Sequence, residues 1–183
     1  MKLGDGVEWG IHCAALLAGL APGATLPGKA LAEYHGVSES YLLKHLKALT
    51  AANLLKSVPG PRGGYRLARA AERISLLDVV QAIDGKEPAF RCTEIRQRGP
   101  VAGDRSAYRR PCAINAAMLR AEEAWRAELA HTTLADINRS VLAHADKGVL
   151  ARGAQWLAHN CRLASQNESE LLKHQPREKP HAR

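Results

Sequence analysis

Leu54-Leu55-Lys56-Ser57-Val58-Pro59-Gly60-Pro61-Arg62-Gly63-Gly64-Tyr65-Arg66-Leu67-Ala68 is the stretch on which the fold turns. Two short runs, 54–58 and 65–68, have the length and apolar content of strands. Between them lie six residues of turn chemistry, in which Gly60, Gly63 and Gly64 are free to take positive φ. The pattern predicts a β-hairpin.

Helical spacing fills the chain before this hairpin. Across 5–20, Val7, Ile11, Ala14, Ala15 and Ala18 recur at three- and four-residue steps. Asp5 is placed to cap that helix and Pro22-Gly23 to stop it. A second helix fits 27–34, with Pro27 suited to its first turn and Gly36 to its end. Ser38-Glu39-Ser40 opens a third, which carries Leu42, Leu43, Leu46, Leu49 and Ala52. Two helices around a glycine-bearing turn, followed by a hairpin, predict a winged helix-turn-helix. Residues 75–83 extend it with a fourth helix that Asp84-Gly85 ends.

Residues 86–111 show no periodicity and are long for a loop in a compact domain, which marks a functional or mobile segment. Cys92 lies in this loop and Cys112 closes it. A long helix follows over 112–132, where Ile114, Met118, Ala121 and Trp125 make one apolar stripe on an otherwise charged surface. Such a stripe calls for a partner. Helices are also expected over 134–142 and 149–163, while 166–183 has the composition of a disordered tail. The expected fold class is mainly α with a small β-wing. It divides into a winged helix-turn-helix domain (1–85), a loop (86–111), dimerisation helices (112–145) and a C-terminal extension (146–183).

Composition narrows the function. The 183 residues are 46% hydrophobic and 24% charged, which excludes wholesale disorder. Aromatics are only 4%, so the core must be aliphatic and rich in alanine. No apolar run approaches the roughly 20 residues of a membrane span, and no secretory h-region follows Met1. The expectation is a cytoplasmic protein with no membrane partner. Cys13, Cys92, Cys112 and Cys161 are far apart and form no C-x-x-C pair, so zinc-finger and thioredoxin-like motifs are absent. In a reducing compartment they are inert thiols or ligands gathered from distant segments. No nucleophile–base set is visible and the wing glycines precede no helix, so they are no P-loop and an enzyme is not expected.

The net charge of +8 points to a polyanion. Lys44, Lys47, Lys56, Arg62, Arg66, Arg69 and Arg73 against Glu39 and Glu72 place +5 of it between 38 and 73. A basic recognition helix and wing are the footprint expected for duplex DNA. Ser38, Ser40, Tyr41 and Lys44, at the start of the third helix, are positioned to reach base edges or phosphates. A solvated charged face, or a winged helix that binds protein, is the alternative.

The runs Gly36-Val37-Ser38-Glu39-Ser40-Tyr41-Leu42 and Ser57-Val58-Pro59-Gly60-Pro61-Arg62-Gly63-Gly64-Tyr65-Arg66-Leu67, with the helix 74–84, resemble the IscR–NsrR family of winged-helix transcription regulators. Gly63-Gly64-Tyr65 is the most specific element, and the resemblance covers 1–142. It implies a homodimer joined by the long helix, double-stranded promoter DNA as partner, wing contacts from Arg62 and Tyr65, and often an iron–sulfur cluster. Two departures stand out. Many members hold the cluster with three loop cysteines, where this chain has Cys92 and Cys112. Pro59 also stands where the best-known member has a basic DNA-reading residue.

Glu8 and His12 are spaced i,i+4 and share a helix face. Glu8-Trp9-x-x-His12 with Cys92 and Cys112 resembles the RsrR-like branch of that family. The branch implies a [2Fe–2S] cluster held by two cysteines of one subunit and a Glu and His from the first helix of the other. Trp9 would then cover the cluster or relay its redox state. Apart from the resemblance, Glu8 and His12 are a first-turn carboxylate and a solvated histidine. Cys92 and Cys112 are then buried inert thiols or a redox-sensing dithiol. Cys13 and Cys161 are bystanders. The expected function is a dimeric DNA-binding transcription regulator controlled by a [2Fe–2S] cluster. The alternatives are a winged-helix regulator sensing through thiols or a small ligand, and a protein-interaction module.

Overall fold

The computed structural model describes residues 3–61 and 63–163; Arg62 and the tail expected over 166–183 lie outside the described residues. Helix α1 (Asp5–Ala18) starts from Gly4, so Asp5 sits inside the first turn, where its charge meets the helix dipole, and caps nothing. Pro27, with φ −60°, leads into α2 (Gly28–His35), and Gly36 ends it in the left-handed region at φ 64°. Ser38 opens α3 (Glu39–Ala51).

The hairpin forms as β1 (Leu55–Val58) and β2 (Gly64–Leu67), antiparallel, with Leu55 opposite Leu67 and Val58 opposite Gly64. Two wing glycines are required by close approach. A Cβ on Gly63 would strike the Val58 carbonyl and the Pro59–Gly60 backbone, and one on Gly64 would strike the Leu26–Pro27 backbone. Of the three glycines expected to use positive φ, Gly60 and Gly64 do so, at 95° and 156°, and Gly63 does not.

A reciprocal capping box between Ser75 and Asp78 opens α4 (Leu76–Asp84). The aperiodic segment that follows contains two short 3-10 turns, Ile95–Gln97 and Arg105–Tyr108. Cys112 is the N-cap of α5 (Ala113–His131). A second capping box, Thr133 with Asp136, starts α6 (Leu134–His144), and Asp146 caps α7 (Lys147–Asn160).

The core is aliphatic: Leu26, Leu31, Leu42, Leu46, Leu49, Leu55, Ile74 and Leu134 are 0–1% exposed. Each such side chain contributes about 1.5–3 kcal/mol by leaving water. Helix α6 belongs to this core, through Leu134 and through Asn138, whose side-chain amide donates to the Ala15 carbonyl at 2.9 Å. Helix α7 also packs back, laying Trp156 and Leu157 against the buried cluster. Helix α5 buries only Glu122. Ile114 and Met118 are 66% and 44% exposed, Ala121 is exposed and Trp125 half-buried. Among the described residues no helix is long and apolar enough to cross a membrane.

Candidate functional site

Helical periodicity sorts α3 into two faces. Leu42, Leu46 and Leu49 point into the core, while Ser40, Tyr41, Lys44 and Lys47 face outward. The Ser38 and Ser40 hydroxyls are 3.1 Å apart at the helix start. On the wing, Lys56 stands opposite Arg66 in register. Like charges in directly opposed positions destabilise a hairpin unless a polyanion lies across them. Neither has an ion-pair partner among the described residues. Tyr65 is half-buried, its ring edge turned toward Gly28 of α2, and burial pushes its phenol up.

The outward face of α3 is tied to α1 by an aromatic cluster. Trp9 meets Tyr41 edge-on with ring centroids 5.2 Å apart, and both contact His45, at 6.4 and 4.9 Å. His45 fits beneath α1 because residue 6 is glycine: a Cβ there would strike the imidazole. Its Nε2 is buried with no hydrogen-bond partner. Burial, then the neighbouring Lys44, hold its pKa below the ordinary value, with Asp84 opposing.

The loop after α4 brings the Cys92 side chain near Cys112, and the Cys92 thiol donates to the Glu94 carboxylate at 3.8 Å. Cys112 sits at the amino end of α5. There the Asn115 backbone N–H, then that of Ile114, the Arg96 guanidinium and the Cys92 thiol hold its pKa below the ordinary value, against an opposing push from burial. A helix N-terminus beside a cation is the setting that favours a thiolate, the form that binds metal or reacts. Arg96 is fixed there by Glu94 at 2.8 and 3.0 Å and stacks over Tyr108. The Tyr108 hydroxyl closes the turn by donating to the Arg96 carbonyl at 2.9 Å. The loop is clamped to α5 from below. Glu122 accepts from the Ala89 N–H at 2.9 Å and from Arg126 at 2.7 Å, and Arg126 donates to the Lys86 and Glu87 carbonyls.

Glu8 and His12 lie exposed on α1 and, with Trp9, His35 and Val37, line a concavity of about 200 Å³. The His12 ring is 5.7 Å from that of His35, whose Nε2 is buried without a partner. Among the described residues no three His, Cys, Asp or Glu side chains gather to hold a metal. Among the described residues the chain therefore offers two separate pairs of donors, the Cys92 and Cys112 sulfurs and the Glu8 carboxylate with the His12 imidazole. Sulfur and imidazole are donor types that [2Fe–2S] groups use. Cys13 and Cys161 belong to neither pair: burial pushes Cys13 up to about 12 and also raises Cys161.

Sequence patterns had assigned no role to His35, His45, Glu94, Arg96, Glu122 or Arg126. The i,i+4 spacing of Glu122 and Arg126 was the one signal available, and it is as common on solvated helices.

A basic, outward-facing α3 beside a two-stranded wing defines a winged helix-turn-helix DNA-binding regulator. Comparison with known proteins places the chain within that class. Residues 3–140 match the family profile Rrf2, iron-dependent transcriptional regulator, and the chain belongs to this family, one of regulators rather than enzymes. The chain is 34% identical over 137 residues to YffB of Lactococcus lactis, covering 75% of this chain and 86% of that one. It is 40% identical over 75 residues to IscR of Xenorhabdus nematophila, 41% of this chain and 44% of that one. Among solved structures, oxidised Staphylococcus aureus CymR is similar with a TM-score of 0.58 and 26% identity, over 80% of this chain and all of that one. T. potens IscR shares the fold with a TM-score of 0.60 at 24% identity, over 82% of this chain and 96% of that one.

Proposed function

We propose that the protein is a homodimeric, cytoplasmic regulator whose binding to double-stranded promoter DNA is set by the redox state or presence of a [2Fe–2S] cluster, as in the RsrR-like branch. Cys92 and Cys112 of one subunit would hold one iron, and Glu8 and His12 of the partner subunit the other. The observation that carries this reading is the placement of Cys112 at the α5 N-cap with Cys92 and the Glu94–Arg96 pair beside it, in a chain that matches an iron-dependent regulator family. Bound there, the group supplies a one-electron couple whose potential imidazole ligation raises relative to an all-thiolate site.

The chain's own residues do the rest. Arg96 offsets thiolate charge, and the Glu122–Arg126 clamp holds the loop at a fixed height on α5. Trp9, adjacent to Glu8, touches Tyr41 on the recognition helix and would relay the redox state. Ser38, Ser40, Tyr41 and Lys44 would read DNA, with Arg62 and Tyr65 on the wing. Ile114, Met118, Ala121 and Trp125 would join two α5 helices.

Native mass spectrometry of anaerobically purified protein tests the reading. It should report a dimer carrying the cluster mass, lost in Cys92→Ala and Cys112→Ala and spectrally altered in Glu8→Ala and His12→Ala. A colourless dimer that forms a Cys92–Cys112 disulfide on oxidation would favour the second reading, a thiol sensor, which the nearness of two free cysteines supports.

A further inference from the structure

The C-terminal extension returns to the wing. Helix α7 is anchored by Trp156, whose ring meets Tyr34 of α2 at 4.9 Å, and by Leu157 against the core. The chain then turns at Cys161 and lays Arg162 alongside Thr25. The Thr25 N–H donates to the Arg162 carbonyl at 2.8 Å, and the Arg162 N–H to the Thr25 carbonyl at 2.9 Å. The next residue, Leu26, pairs in the same way with Tyr65 of β2, at 2.7 and 3.0 Å. A backbone ladder thus runs from β1 through β2 and residues 25–26 to Arg162. The Arg162 guanidinium also reaches back, donating to the carbonyl of Gly63 in the wing turn at 2.9 Å. The family match ends at residue 140, so the match does not include this brace.

We infer that Arg162 is a positioning residue for DNA binding. It holds the wing turn at a fixed height relative to α3 from a half-buried place in the sheet. A hairpin tied only at its base must be ordered when DNA arrives, and that cost lowers affinity. Apparent affinity falls by the fraction of time the wing spends in its competent position. The Gly63 carbonyl, bonded to a guanidinium, gives the turn one dominant position before DNA is present. The extension thereby sets operator affinity without itself touching DNA.

Salt dependence separates this role from a direct phosphate contact. The probe is a duplex selected from a random pool by the wild-type protein, titrated at several salt concentrations with full-length Arg162→Ala. The expected result is affinity three- to ten-fold weaker at every salt, with parallel plots of log K against log salt. Hydrogen exchange over 60–66 should be faster in the free variant, and its melting temperature should be close to wild type. Trp156→Ala, which frees the anchor while leaving the charge, should weaken binding similarly. The double variant should be little weaker than either single one, because both remove one brace. A slope shallower by about 0.9 in Arg162→Ala would instead make Arg162 a phosphate contact and overturn the inference. Unchanged affinity, or additive losses in the double variant, would overturn it as well.

Discussion

The Trp9 indole meets the Tyr41 ring edge-on, 5.2 Å between centroids, joining the helix that carries Glu8 and His12 to the helix whose exposed face is basic. Such a contact is worth about 0.5–1.5 kcal/mol beyond its burial. A switch works only if DNA binds two states with different affinity, and a rigid contact between sensor and reader is one way to couple them. In Trp9→Ala the ratio of DNA affinities between oxidised and reduced protein should collapse toward one, with the visible spectrum retained. Trp9→Phe should preserve most of it. An unchanged ratio in Trp9→Ala would remove this residue from the relay.

The Glu122–Arg126 clamp should be necessary for the paired thiols. Arg126→Ala removes the donors to the Lys86 and Glu87 carbonyls and leaves Glu122 bonded to the loop backbone through the Ala89 N–H. Freed of it, Cys92 should react faster with a thiol reagent, and metal content of purified protein should fall. Equal labelling rates in variant and wild type would show that the loop is held by other contacts.

Wing geometry should matter more than wing charge at Gly63. Gly63→Ala sets a methyl group against the Val58 carbonyl and the Pro59–Gly60 backbone, and no rotamer relieves a backbone clash. Overpacking of this kind costs about 1–3 kcal/mol, localised in the hairpin. Operator binding should weaken at least ten-fold with the salt slope little changed. Lys44→Ala, by contrast, should flatten the slope by about one unit through loss of one phosphate contact.

Acid should destabilise the fold through His45. Its folded-state pKa is depressed by burial, then by Lys44, with Asp84 acting in the opposite sense. Below the unfolded value of about 6.5 the unfolded chain takes up the proton first. Stability is therefore full above that pH and declines as the pH falls through it toward the folded value. His35, also depressed by burial and by His12, adds to the same slope. Urea melts between pH 7 and 5 should show the decline, and His45→Gln should flatten part of it. The same slope in the variant would show that His45 does not contribute.

Two α5 helices should join through their exposed apolar residues. Met118→Asp, at a position 44% exposed, leaves the monomer fold intact and introduces charge at the proposed seam. The variant should sediment as a monomer at micromolar concentration while wild type sediments as a dimer. The wild-type operator should be close to palindromic, with half-sites one helical turn or a multiple apart. A dimeric Met118→Asp would move the interface elsewhere.

Local chemistry was enough to make the fold legible. Helical periods before residue 53, proline and glycine at 59–64 and a return to helix at 75 all act over a few residues, so the winged helix follows from the order of amino acids. The charge on α3 and the wing is legible for the same reason, since surface side chains stay where helix and strand periods put them. Asp5 marks a limit even here: its type suits a cap, but the helix begins from Gly4.

Only the tertiary structure decided what lies between distant segments. Cys92 and Cys112 are twenty residues apart with no period connecting them, and the start of the loop between α4 and α5 is tied to α5 by Glu122 and Arg126. His45 could acquire a buried ring only where residue 6 of another helix is glycine. Arg162, in a segment with no recognisable pattern, found the wing because Trp156 packs on Tyr34 and aims the chain back across the sheet. These pairings cross 20 to 122 positions of sequence. A chain's order specifies such contacts only through the packing of everything else, which no local period records.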